Sequence, residues 1–137
     1  MDTYLLQDWL SLSSNAAGNV ITQSEGRWLD LAAYRDVVAW LDVKQVSSGS
    51  VAIGYQSAIA KEETLFATMA TSTRLLSPGV STVPMLYELQ AMSGAAPLAR
   101  WVRWQASLNA GDSITFRIWI AANKPGRASL NRAAVRR

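Results

Sequence analysis

Residues 97–121, PLARWVRWQASLNAGDSITFRIWIA, decide the fold of this chain. From Ser113 onward, apolar β-branched and aromatic residues alternate with polar or outward-facing ones, a period of two that is typical of a β-strand with one buried face. Residues 98–108 carry a second alternation, and the turn-forming residues 109–112 (NAGD) stand between the two. The stretch therefore predicts two strands joined by a short loop.

These two strands are predicted to pair with each other as a hairpin. Pairing Leu108 with Ile114 places the apolar residues of both strands on one face, and a shift of one residue would turn them to the opposite face. This register requires a five-residue loop, 109–113, and sets Arg103 across from Trp119 on the outer face. An exposed guanidinium over an indole contributes about 0.5–1 kcal/mol.

The rest of the chain reads as further short strands. Residues 36–46 alternate clearly, and residues 47–50 (SSGS) form a turn into a similar segment at 51–56, which predicts a second hairpin. Residues 4–12 fit either a strand or a short helix. A total of about seven or eight strands with turns between them favours an all-β antiparallel sandwich, of jelly-roll type, over any βαβ fold.

The composition excludes several classes of protein. Half of the 137 residues are hydrophobic and 17% are charged, which is typical of one globular domain. The sequence contains no Cys and no His, so it has no thiol or imidazole nucleophile, base or metal ligand. It shows no signal peptide, and no apolar run approaches the roughly 18 residues that a membrane span needs.

The net charge of +3 is unevenly distributed. Residues 124–137 hold five basic side chains and no acid, whereas residues 1–123 hold eight basic and ten acidic side chains. We therefore expect one sandwich domain over 1–123, followed by a flexible basic C-terminal arm over 124–137. The basic residues of this arm are Lys124, Arg127, Arg132, Arg136 and Arg137.

Three interpretations of the basic arm remain open. It could dock on an acidic protein surface, bind nucleic acid, or serve only as a solubilising terminus. Single-strand nucleic-acid binders place aromatic residues among their basic ones, and residues 124–137 contain no aromatic residue. This composition favours a protein partner over a nucleic acid.

The carboxylates show no arrangement that indicates catalysis. Asp36 and Asp42 share the outer face of one predicted strand, a position that favours solubility and edge protection over glycoside hydrolysis. The sequence has no DxDxDG calcium loop, no glycine-rich phosphate loop and no GxSxG elbow. We therefore predict a protein that is not an enzyme and that uses no cofactor and no metal.

Trp and Arg residues dominate the outer face of the first predicted hairpin, and strand 36–46 adds another outward-facing indole. The candidate interface residues are Trp40, Trp101, Arg103, Arg117 and Trp119. Trp and Arg are enriched in protein interfaces, whereas indoles also stack on sugar rings and bases. A protein interface, a ligand-stacking surface and plain cross-strand pairs beneath another layer are all compatible with this pattern.

Four segments carry a resemblance to a known class. They are WLDL (28–31), DVVAWLDV (36–43), RWVRW (100–104) and TFRIWI (115–120). In this order they resemble small β-sandwich virion proteins of tailed bacteriophages and phage-derived particles, such as capsid decoration subunits or minor head and tail subunits. The resemblance spans residues 28–121 and implies a non-catalytic subunit that caps or bridges a larger shell.

The expected function is therefore structural. The chain should be a homo-oligomeric virion component, cytoplasmic before assembly, that binds capsid or other virion subunits through its Trp/Arg face and its basic arm. The alternative is a β-sandwich carbohydrate-binding module that uses Trp40, Trp101 and Trp119 as stacking platforms.

Overall fold

The computed structural model describes residues 1–15, 18–47, 50–71, 77–85 and 96–125. Within these ranges, β-strands and two short 3₁₀ turns, Glu25–Arg27 and Glu63–Leu65, are the regular elements. The strands are β1 (Asp2–Ser13), β2 (Asn19–Thr22), β3 (Leu29–Asp30), β4 (Asp36–Val46), β5 (Ala52–Ala58), β6 (Ala67–Thr71), β7 (Gly79–Met85), β8 (Trp101–Leu108) and β9 (Ser113–Asn123).

The strands form two antiparallel sheets. Sheet A has the order β1-β9-β4-β7, and sheet B has the order β2-β8-β5-β6, with β3 pairing along β8 beyond β2. Two strands that are consecutive in the sequence occupy the same position in the two sheet orders. These pairs are β1 with β2, β9 with β8, β4 with β5, and β7 with β6. This is the arrangement of a jelly roll. The predicted all-β sandwich is confirmed.

The predicted hairpin between β8 and β9 is wrong, because the two strands belong to different sheets. β8 pairs with β2, β3 and β5, whereas β9 lies between β1 and β4. Their apolar faces meet across the core instead, where the rings of Trp104 and Phe116 pack edge to face with centroids 5.2 Å apart. The second predicted hairpin, between β4 and β5, is wrong for the same reason.

The core between the sheets is built from alternate residues of each strand. On β4, Ala39 and Leu41 are fully buried, while Trp40 between them is exposed on the other face. On β9, Ile118 and Ile120 are likewise fully buried. Burying one large apolar side chain contributes roughly 1.5–3 kcal/mol, so the core supplies most of the stability.

A buried glutamine links the two sheets on the side where β1 and β2 form the edges. Gln23 donates a hydrogen bond from Nε2 to the carbonyl of Leu6 in sheet A, at 2.6 Å. Its Oε1 accepts from the backbone N–H of Trp104 in sheet B, at 3.4 Å. The indole of Trp104 also donates to Oε1 of Gln7, at 3.1 Å. The polar atoms at this open side of the sandwich thus satisfy one another.

Three connections meet at one end of the sandwich around a buried carboxylate. Asp112, which follows β8, is 6% exposed. Its Oδ2 accepts hydrogen bonds from the backbone N–H of Asn109 at 3.0 Å and from the hydroxyl of Ser50, before β5, at 2.6 Å. The backbone N–H of Ser14, after β1, donates to the carbonyl of Asp112 at 2.9 Å. One residue therefore joins the crossings β1–β2, β4–β5 and β8–β9.

Replacing Asp112 by Ala should lower the free energy of unfolding by about 2–4 kcal/mol, because the charge-assisted hydrogen bonds to the backbone N–H of Asn109 and the hydroxyl of Ser50 are lost. Urea denaturation measures this change. Asp8→Ala is the matched control, since the Asp8 carboxylate is exposed and accepts a hydrogen bond from the adjacent N–H of Trp9. Equal midpoints for the two variants would show that Asp112 does not join the connections.

Replacing Tyr55 by Phe should raise the free energy of unfolding by about 1 kcal/mol. Tyr55 is fully buried in β5, its hydroxyl has no hydrogen-bond partner among the described residues, and burial raises the pKa of the phenol. Tyr4→Phe is the control, because the Tyr4 hydroxyl bonds that of Tyr34 and its loss should destabilise the fold. A loss of stability in Tyr55→Phe equal to that of the control would contradict the expectation.

Candidate binding surface

The outer face of sheet A carries a row of apolar side chains across its strands. Trp40 on β4 lies beside Trp119 on β9, which lies beside Leu5 on β1. Thr82 on β7 continues the row past Trp40. Trp40 is 45% exposed and Leu5 is 41% exposed. A contiguous set of exposed large apolar residues is typical of an interaction site, whereas isolated ones are common on any surface.

A groove with a volume of about 570 Å³ adjoins this row. The directly paired residues Val38 and Ala121 form a low strip next to the higher indoles of Trp40 and Trp119, and all four line the groove. Asp36 contributes a carboxylate to the lining, and no described Lys or Arg side chain lines it. The groove therefore suits an occupant that is apolar and partly basic.

Arg117, two residues before Trp119 on β9, holds two indoles in place beside the row. Its guanidinium carbon lies 4.5 Å from the ring centroid of Trp9 and 5.6 Å from that of Trp119. One of its terminal nitrogens donates to Oδ2 of Asp42 at 2.9 Å. The cation is thus packed between two rings and paired with a carboxylate, which limits the motion of the surface side chains. A partner would lose less side-chain entropy on binding here.

Trp101 and Arg103 lie on the outer face of sheet B, so the single Trp/Arg face predicted from the hairpin is wrong. Arg103 is 3% exposed, and its guanidinium carbon lies 4.0 Å and 5.1 Å from the ring centroids of Phe66 and Trp28. It also donates to both carboxylate oxygens of Glu63. Arg103 is therefore enclosed by its own chain and supports the fold.

Trp101 stands apart from the apolar row, among charged side chains. The ammonium of Lys61 lies 5.0 Å and the guanidinium of Arg100 5.5 Å from its ring centroid. Arg100 in turn pairs with Asp30 at 2.9 Å. A depression of about 300 Å³ elsewhere on the same sheet is lined by small or neutral polar residues. The outer face of sheet B is thus more polar than the apolar row on the outer face of sheet A.

The start of the predicted basic arm lies at the rim of the groove. β9 ends at Asn123, whose side chain lines the groove. Lys124 is exposed, and its ammonium lies 5.9 Å from the ring centroid of Tyr34. The other basic residues predicted for the arm, Arg127, Arg132, Arg136 and Arg137, lie outside the described residues.

Two residues of the apolar face, Leu5 and Trp9, were not identified from the sequence. β1 shifts its register against β9 between Leu5 and Gln7 and again between Gln7 and Leu10. Each shift interrupts the alternation of faces, so residues 4–12 lack a clean strand period and fit a short helix as well as a strand. No local pattern could have placed Trp9 beside Arg117.

Two of the described carboxyl groups, those of Asp30 and Glu63, have shifted pKa values, and neither belongs to a metal-binding group. No group of three or more His, Cys, Asp or Glu among the described residues could hold a metal ion. Hydrogen bonds from Arg100 and Arg103 lower the pKa values of Asp30 and Glu63, which is the ordinary effect of an ion pair and does not prepare a carboxyl for proton transfer. In the part of the chain that the structure describes, no helix is long and apolar enough to cross a membrane.

The stability of the fold at low pH should depend on Glu63. Arg103 lowers the pKa of Glu63 in the folded chain, so the stabilisation is present above the ordinary carboxyl pKa and is lost as the pH falls through the lowered value. Glu63→Gln should therefore weaken the decline of the unfolding free energy in acid, measured by urea titration across the acidic range. Glu62→Gln, one residue earlier, is the control, and an equal effect of both variants would contradict this account.

Comparison with known proteins assigns no family to this chain. No protein-family model matches it, and no curated protein matches it. Among the solved structures it is similar to a chain in the structure of infectious bursal disease virus Gx strain, with a TM-score of 0.47 and 13% sequence identity. The match covers 92% of this chain, which spans only 32% of the viral chain. A likeness at this level defines neither the fold nor the function.

Proposed function

We propose that this chain is a non-enzymatic assembly subunit of a virion or phage-like particle, and that it docks on neighbouring protein subunits through the outer face of sheet A. The observation that carries the proposal is a row across adjacent strands, in which the half-buried Trp119 lies between the exposed Leu5 and Trp40. Each large apolar side chain gains roughly 1.5–3 kcal/mol on full burial. A protein surface that covers the row therefore gains free energy at several neighbouring positions at once.

The jelly-roll fold is compatible with this role, but it is also compatible with other functions. Jelly rolls serve as viral capsid domains, as lectins and as cupins, and a fold alone does not fix a function. The absence of His and Cys from the sequence speaks against a metal-dependent enzyme on this scaffold. The outer face of sheet A, apolar and rich in indoles, favours a protein contact among the remaining uses.

The predicted interface residues divide between the two sheets. Trp40, Arg117 and Trp119 belong to the proposed interface, whereas Trp101 and Arg103 do not. Trp and Arg dominate interaction hot spots, especially where the side chains are already held in place, as they are around Arg117. A decoration or cement role would use this contact face together with the predicted basic arm.

Carbohydrate binding is the second candidate. The groove beside Trp40 and Trp119 favours it, because sugar rings stack on exposed indoles. Trp101 cannot join these two in one platform, since it lies on the other sheet. Binding sites for small ligands also need several polar groups that converge on the ligand. The polar residues of the described lining are Thr3, Asp36, Thr82 and Asn123.

The assembly role predicts that the chain is a stoichiometric component of particles purified from its source. Trp40→Ser should lower its occupancy at least about tenfold, because truncating a hot-spot indole costs about 2 kcal/mol or more. Trp101→Ser, on the opposite sheet, is the matched control and should keep the occupancy of the unchanged chain. Quantitative mass spectrometry of the particles measures both, and urea denaturation checks that both variants are folded.

Two results would contradict the proposal. The chain would be absent from purified particles, or the two Trp variants would reach the same occupancy as the unchanged chain. Retention on a glycan array that is lost in Trp40→Ser, together with absence from the particles, would favour the carbohydrate-binding candidate.

A further inference from the structure

The C-terminal segment of the chain starts beside the groove of sheet A. Asn123 is both the last residue of β9 and part of the groove lining. Pro125 is the last described residue, which leaves twelve residues, 126–137, beyond it. Twelve residues reach at most about 40 Å when fully extended, whereas four neighbouring strands span roughly 14 Å. The segment is long enough to cross a whole sheet face.

The composition of this segment is unusual for a chain terminus. Residues 126–137 (GRASLNRAAVRR) contain no acid and no aromatic residue. Leu130 and Val135 are its largest apolar residues, with three alanines around them. Its cations are Arg127, Arg132, Arg136 and Arg137. The segment therefore offers guanidinium groups and small to medium apolar side chains, and lacks indoles and carboxylates.

The groove offers the complementary groups. Trp40 and Trp119 present indole faces on which guanidinium groups can stack. The strip formed by Val38 and Ala121 can receive small apolar side chains, and Asp36 supplies a carboxylate. Among the described lining residues, no side chain is that of Lys or Arg.

The chain leaves its own sheet in a direction that favours a neighbour's groove. Asn123 faces the groove, whereas the ammonium of Lys124 lies 5.9 Å from the ring of Tyr34, a residue that packs against the core. Pro125 restricts Lys124, the residue before it, to extended conformations. Because β9 ends at the groove, a segment that binds its own groove must reverse the direction of the strand, whereas a segment that binds the groove of a second copy need not.

We propose that residues 126–137 of one copy bind in the groove on sheet A of a second copy of this chain. The contact joins two different surfaces, so it repeats from head to tail and builds a ring or a row of subunits. This inference rests on the proposed function, because it names a partner for the same face. It also gives the outward-facing Trp residues and the basic arm, both predicted from the sequence, a common role in the contact between two copies.

Two variants separate the two halves of this contact. Truncation after Pro125 removes the segment and keeps the groove, whereas Trp40→Ser weakens the groove and keeps the segment. Neither variant should associate with itself, but an equimolar mixture should form a 1:1 complex in sedimentation velocity. The truncated chain that also carries Trp40→Ser is the matched control and should stay monomeric when mixed with the truncated chain.

Two further measurements test whether the loss of association is due to unfolding and whether the contact depends on charge. Leu130→Asp changes the segment outside the described domain, so it should abolish self-association with the urea midpoint unchanged. The 1:1 complex should weaken as salt rises from about 0.1 to 1 M, because the screening length then falls from about 10 to 3 Å.

The inference and the proposed function fail in different ways. A mixture that stays monomeric while the unchanged chain self-associates would overturn the inference. Monomers throughout, with Trp fluorescence more accessible to acrylamide after truncation, would show that the segment covers its own groove and would also overturn it. In either case, loss of particle occupancy in Trp40→Ser would leave the assembly role intact.

Discussion

The packing of β8 against β9 across the core is the contact on which the rest of the structure depends. β8 is an inner strand of sheet B and β9 is an inner strand of sheet A, so their contact fixes the two sheets relative to each other. Trp104 and Phe116 meet edge to face at its centre. The short connection at 109–112 must cross from one sheet to the other. The carboxylate of Asp112 joins it to the β4–β5 crossing, and the backbone carbonyl of Asp112 joins it to the β1–β2 crossing.

The sequence predicted the strands far better than it predicted their partners. The segment 36–46 coincides with β4, and the buried and exposed faces of β8 and β9 follow the predicted alternation. Two alternating strands with a short loop can share a sheet or face each other across a core, and both arrangements bury the same residues. The choice depends on long-range pairing with β1, β2, β4 and β5, which no local pattern encodes.

The candidate site was predicted in part for the same reason. The outward direction of Trp40, Arg117 and Trp119 follows from strand parity alone, and the structure places all three on sheet A. Arg103 has the same parity on its own strand, but it lies on sheet B beneath Phe66 and Trp28. The odd or even position of a residue along its strand predicts whether its side chain points away from the core. This position predicts neither the sheet to which the strand belongs nor the residues that cover the side chain.

The central claim is that the outer face of sheet A is the surface this protein uses. Hydroxyl-radical footprinting with mass spectrometry, on the free chain and on the assembled particle, tests it most directly. The account predicts that oxidation of Leu5, Trp9 and Trp40 falls several-fold on assembly, while oxidation of Val20 and Trp101 on the outer face of sheet B stays unchanged. Protection confined to sheet B, or no protection of Trp40, would contradict it.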